Sequence, residues 1–79
     1  MTGDRLRWQC RRGMRELDVL LGDWLERHYA AAPAAQKAAF EALLALPDPQ
    51  LAGYILAGHV PFEPDIAAVV TAIRNRAQA

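Results

Sequence analysis

The sequence predicts an all-α fold, a small compact five-helix bundle in one domain spanning residues 1–79. Three observations carry this. Alanine, leucine, arginine and glutamate dominate, and all favour helix. Apolar residues recur at three- and four-residue spacing, with no sustained apolar–polar alternation of the kind a strand needs. Glycine and proline fall between the periodic runs, at Gly13, Pro33, Pro47, Gly58 and Pro64.

The first helix is expected over about Asp4 to Arg11, with Asp4 as cap and Leu6 and Cys10 on one face. Gly13 interrupts the pattern as a turn or tight contact. The second helix runs from about Met14 to Tyr29, with Leu17, Leu20, Leu21, Trp24, Leu25 and His28 as its apolar stripe. Asp23, Glu26 and Arg27 lie opposite, and Gly22 lies inside the run as a place for a kink or a close neighbour. The stretch Ala30 to Ala35, broken by Pro33, is a short connection. A third helix then reaches about Leu46, with Ala39, Phe40, Leu43 and Leu44 on one side. Asp48 is a good N-cap and Pro49 suits the first helical position, so a fourth helix starts there with Leu51, Tyr54 and Ile55 inward and Gly58 as terminator. His59 to Glu63 is a loop. Pro64 and Asp65 open a fifth helix with Ile66, Val69, Val70 and Ile73 as its stripe, and the residues after Arg76 are expected to fray.

A chain of 79 residues has a thin core and should be marginally stable. Cys10 stands alone, so no intramolecular disulfide braces the fold, which fits a reducing compartment and a cytoplasmic location. The composition is 53% hydrophobic and 23% charged, which suits a globular protein rather than a disordered one. Formal net charge is zero although Arg5, Arg7, Arg11, Arg12 and Arg15 crowd one segment. That neutrality, with Glu16, Asp18, Asp23 and Glu26 close behind, counts against nucleic-acid binding. A small nucleic-acid-binding or regulatory module using the arginine cluster is the competing reading. No apolar run is long enough to span a bilayer, and no secretory signal is evident.

Little here resembles an active site. Cys10, His28 and His59 match no zinc spacing. His28 is expected at the core boundary, His59 in solvent and Cys10 as a packing residue, with the neighbouring arginines as the one route to a reactive thiolate. The chain has no serine and only Thr2 and Thr71 as threonines, so hydroxyl catalysis is not expected. Glu41 and Glu63 read as solvated carboxylates. The segment Arg11 to Asp18 is different. It sets charges of both signs around a glycine at a helix junction, with Glu16 in the first turn and Arg12 spaced to pair with it. Physics alone reads this as a glycine-marked helix start dressed with charge.

Arg12-Gly13-Met14-Arg15-Glu16 also resembles the RGxxE motif of the SdhE-type succinate dehydrogenase assembly factors. Leu17-Asp18-Val19-Leu20-Leu21 continues as that family does. Phe40-Glu41 and Leu46-Pro47-Asp48-Pro49-Gln50-Leu51 are similar to its third helix and its D-P-x-L start of the fourth. The resemblance implies a five-helix bundle that is not an enzyme. Its implied partner is the flavoprotein subunit of succinate dehydrogenase, and in bacteria also of fumarate reductase, where it promotes covalent attachment of FAD to a histidine. It implies that the chain itself holds no cofactor stably; the FAD is the partner's. A monomer is expected. By resemblance Gly13 and Glu16 are the first partner-binding candidates, then Arg12, with Arg15 and Asp18 beside them. Where family members often carry a tryptophan in the fourth helix, this chain has Tyr54, expected in the core.

Overall fold

A computed structural model describes the backbone of residues 2–78 and the side chains of residues 5–75. The helices are α1 (Thr2–Gln9), α2 (Arg15–Trp24), α3 (Ala34–Leu44), α4 (Asp48–Ile55) and α5 (Pro64–Gln78), and no strand occurs among the described residues. Helix α1 begins two residues before Asp4, whose side chain lies outside the described residues, as do those from Arg76 onward where fraying was expected.

The second helix departs from the expected continuous α-helix. After Trp24 it passes into a π-helical segment, Leu25–Tyr29. A π turn takes in one more residue than an α turn. Tyr29 therefore comes to lie beside Trp24, the two rings meeting edge-on at 6.3 Å. His28, expected at the core boundary, is exposed, although its ring still flanks that of Trp24 at 6.3 Å. Gly22 admits no close neighbour: a Cβ there would meet nothing within 4 Å.

Prolines set two of the other starts. Pro33 accepts the amides of Gln36 and Lys37, both at 3.0 Å, and α3 begins at once with Ala34 rather than after Ala35. Pro47 does the same for the amide of Leu51 at 3.0 Å. Helix α4 therefore begins one residue earlier than expected. Asp48 is its first residue and makes no side-chain cap. At the far end of α4, Gly58 adopts φ +84 and turns the chain so that the His59 amide reaches the Gly53 carbonyl at 3.0 Å.

Helix α5 packs against α2, α3 and α4, and α1 lies on α3. Leu6, Cys10, Leu17, Leu21, Trp24, Ala39, Phe40, Leu43, Leu44, Leu51, Ile55, Val69, Val70 and Ile73 form one buried cluster, as their periodicity predicted. Leu20, Leu25, Tyr54 and Ile66 from the expected stripes are half-buried at its edge. Tyr54 keeps its polar tip outside, where its hydroxyl accepts the Gln50 amide at 3.3 Å. Phe40 is fully buried with its ring centroid 4.6 Å from that of Trp24 and 5.9 Å from that of Tyr29. The Tyr29 hydroxyl donates to Glu41 at 2.6 Å, which raises its pKa because ionisation would lose that bond.

Phe40 touches both halves of the second helix, so truncating it removes packing from both. Phe40→Ala is expected to destabilise the domain by about 3–5 kcal/mol. Urea unfolding followed by circular dichroism measures this, and a loss below about 1 kcal/mol would contradict the central place given to the ring.

Candidate functional site

The motif segment is the connection between α1 and α2. Gly13 sits there at φ +79, a backbone state that L side chains rarely adopt. A Cβ at Gly13 would meet nothing within 4 Å, so the demand for glycine comes from the backbone angle and not from a close neighbour. Met14 precedes α2 without a side-chain cap, and its carbonyl takes the Asp18 amide at 2.8 Å. The open amides just ahead of the helix are met from the other direction. The Asp18 carboxylate accepts from the Arg12 amide at 2.7 Å and from the Gly13 amide at 3.2 Å. Asp18 thus closes the loop by reaching back from the first turn, and a carboxylate there also suits the helix dipole.

Arg12 does not pair with Glu16, four residues on, as its spacing suggested. Its guanidinium turns inward instead. Nη1 donates to the Leu46 carbonyl at 3.2 Å and to Asp48 Oδ1 at 3.1 Å, and Nη2 donates to the Leu44 carbonyl. These carbonyls are at and just beyond the C-terminus of α3, where the helix leaves acceptors without partners. A cation there also complements the dipole. Arg12 Nε is buried without a hydrogen-bond partner. The Arg12 side chain is only 15% exposed and that of Asp48 46%.

Arg15 and Glu16 are exposed. They border a groove of about 660 Å³ whose other walls are Val19 and Leu20 of α2, Ile55 and Leu56 at the end of α4, and Arg74 of α5. Val19 and Leu56 present large apolar surfaces to solvent there. The candidate residues therefore divide. Gly13, Arg15 and Glu16 are exposed, and the last two border the apolar groove, while Arg12 and Asp18 are half-buried.

The chain matches the family described as "Flavinator of succinate dehydrogenase" over residues 4–77. It belongs to this family, Sdh5. The FAD assembly factor SdhE of Shewanella oneidensis is 38% identical over 73 residues, covering 92% of this chain and 89% of the relative. That of Coxiella burnetii is 42% identical over 60 residues, covering 76% and 72%. That of Legionella pneumophila is 39% identical over 71 residues, covering 90% and 89%. The relatives are named as assembly factors, in agreement with the reading of this Sdh5 chain as an assembly factor and not an enzyme.

Val19, Leu56 and Arg74 were not singled out in the sequence. The first two carry a signal that could have found them, being apolar residues off the inward stripe of their helices. Arg74 reaches the groove only through the way α5 packs, as its guanidinium lies 3.3 Å from where a Cβ on Gly58 would stand. Asp48 was assigned to a cap and serves instead as Arg12's partner. Among the described residues no group of three or more His, Cys, Asp and Glu side chains could hold a metal ion, and no helix is long and apolar enough to cross a membrane.

Cys10 is buried and is not an exposed, reactive thiol. Burial pushes its pKa from 9.0 up to about 11, with Arg12 pulling it down and Asp18 adding to the rise. The neutral thiol therefore favours the folded state below about pH 9, and that contribution is lost as pH rises through about 11. Iodoacetamide at pH 8 is expected to label Cys10 slowly in the native protein and rapidly in urea. Equal rates in both would contradict its burial. At Gly13 the backbone angle sets the outcome: Gly13→Ala should destabilise by about 1–2 kcal/mol and Gly13→Asn by less. Equal stability of all three proteins in thermal unfolding would count against the positive φ.

Proposed function

We propose that this Sdh5-family protein binds the flavoprotein subunit of succinate dehydrogenase, and that of fumarate reductase, and promotes attachment of FAD to a histidine of that subunit. The observation that carries this reading is the exposed motif, whose Arg15 and Glu16 border an apolar groove. Charged groups at its rim and aliphatic surface within it suit a protein partner rather than a small substrate. The names of the relatives supply FAD assembly as the purpose. The described groups that could react are dispersed: Cys10 is a buried neutral thiol, while His28 and His59 are exposed on different elements. The linkage chemistry then belongs to FAD and the recipient. The factor acts by binding most tightly the flavoprotein conformer in which histidine and flavin are brought together.

In this reading Gly13, Arg15 and Glu16 touch the partner, and Arg12 and Asp18 contribute by shaping the edge. Glu16 offers a directional charge whose loss leaves a partner group unpaired. The protein works as a monomer in the cytoplasm, where an unpaired Cys10 is at home. The nucleic-acid reading is weakened by Arg12, whose charge is already taken up by Asp48.

The test is reconstitution from the apo flavoprotein subunit, FAD and this protein, read as in-gel flavin fluorescence after denaturation. Faster covalent labelling with wild type, lost with Glu16→Ala and Gly13→Arg, is expected. Because any side chain at Gly13 strains the loop, Gly13→Ala serves as the control that should retain most activity once folded. An absence of any wild-type effect would overturn the proposal.

A further inference from the structure

The charged side chain of Arg12 ties the motif loop to a distant part of the chain, crossing from the α1–α2 connection to the α3–α4 connection. The groove beside the motif lies between α2 and α4. The α4 wall, Ile55 and Leu56, stands at the far end of an eight-residue helix, so whatever joins the starts of α2 and α4 sets where that wall stands beside α2. What joins them is the run of contacts Asp18 to the Arg12 and Gly13 amides, then Arg12 to Leu44, Leu46 and Asp48. Asp48 is the first residue of α4, and Asp18 lies in the first turns of α2.

We propose that Arg12 and Asp48 form a positioning strut that sets the spacing of the α2 and α4 walls and the pose of the Gly13–Glu16 edge, so that both tune flavoprotein affinity without touching the flavoprotein. This rests on the docking reading above and extends it to Asp48, a residue outside the docking edge. Arg12 is too enclosed to offer its guanidinium outward, and its three acceptors already fix the planar fork in place. Lysine cannot replace it, because a single ammonium cannot hold two carbonyls and a carboxylate with the same geometry.

The experiment compares wild type, Asp48→Asn, Arg12→Lys and the double variant. Each is held well below its melting temperature and checked by circular dichroism to be fully folded. Affinity for the flavoprotein subunit is measured by titration calorimetry, and exchange of the Arg12 and Gly13 amides is followed by NMR. Asp48→Asn is expected to weaken binding about tenfold, the factor that matches ~1.4 kcal/mol. Arg12→Lys should weaken it at least as much, with the double variant no worse than Arg12→Lys alone, and both amides should exchange faster in each. A contribution to global stability alone would lower the melting temperature and leave affinity of the folded protein unchanged, which would overturn the proposal. So would additive losses in the double variant, since they would mean Arg12 meets the partner on its own. If wild type fails to bind the flavoprotein, the docking reading falls and the affinity claim with it. If wild type binds and Asp48→Asn binds equally well, the strut alone falls.

Discussion

The motif end of this domain is organised around one half-buried fork of hydrogen bonds, the guanidinium of Arg12 against the end of α3 and the start of α4. Helix ends are where a small protein has most trouble satisfying its backbone, since the last carbonyls of a helix have no partner within it. Here a side chain from another part of the chain solves that problem for α3. The same side chain is anchored at its base by Asp18, which takes the Arg12 and Gly13 amides. Two helix termini and two connections are thereby made to depend on each other.

This explains why a motif of five residues sits where it does. Arginine is needed for its reach and its fork, glycine for a backbone at φ +79, and the acidic residues that follow suit the positive end of α2. Only Arg15 and Glu16 turn their charges outward to the groove. A motif that reads as one signature is in structure two layers, one half-buried and one exposed.

Much of the fold was legible because helical periodicity is a local property. Leu17, Leu21, Phe40, Leu43, Leu51, Val69 and Ile73 announce their burial by spacing alone. Asp48 shows the limit. Beside two prolines it has every attribute of an N-cap, and nothing local reveals that a cation from residue 12 will occupy it. His28 shows another. Its spacing from Trp24 is right for an α-helix and the two rings do lie side by side, but the turn between them is π-helical and His28 is exposed, which local spacing does not encode. Gly13, Arg15 and Glu16 were put forward by resemblance, whereas the groove that Arg15 and Glu16 border is assembled from three helices and emerges only from topology.

The π turn has a geometric consequence of its own. Leu17 and Leu21, early in the element, belong to a helix laid on α5, while Trp24 at the entry to the π turn and Tyr29 at its end both reach Phe40 of α3. A rod of constant pitch presents its stripe in a slowly drifting direction. The additional residue acts as a phase shifter, advancing the stripe in a single step. One element can then be keyed to two partners lying in different directions, with no break in the chain and no additional loop.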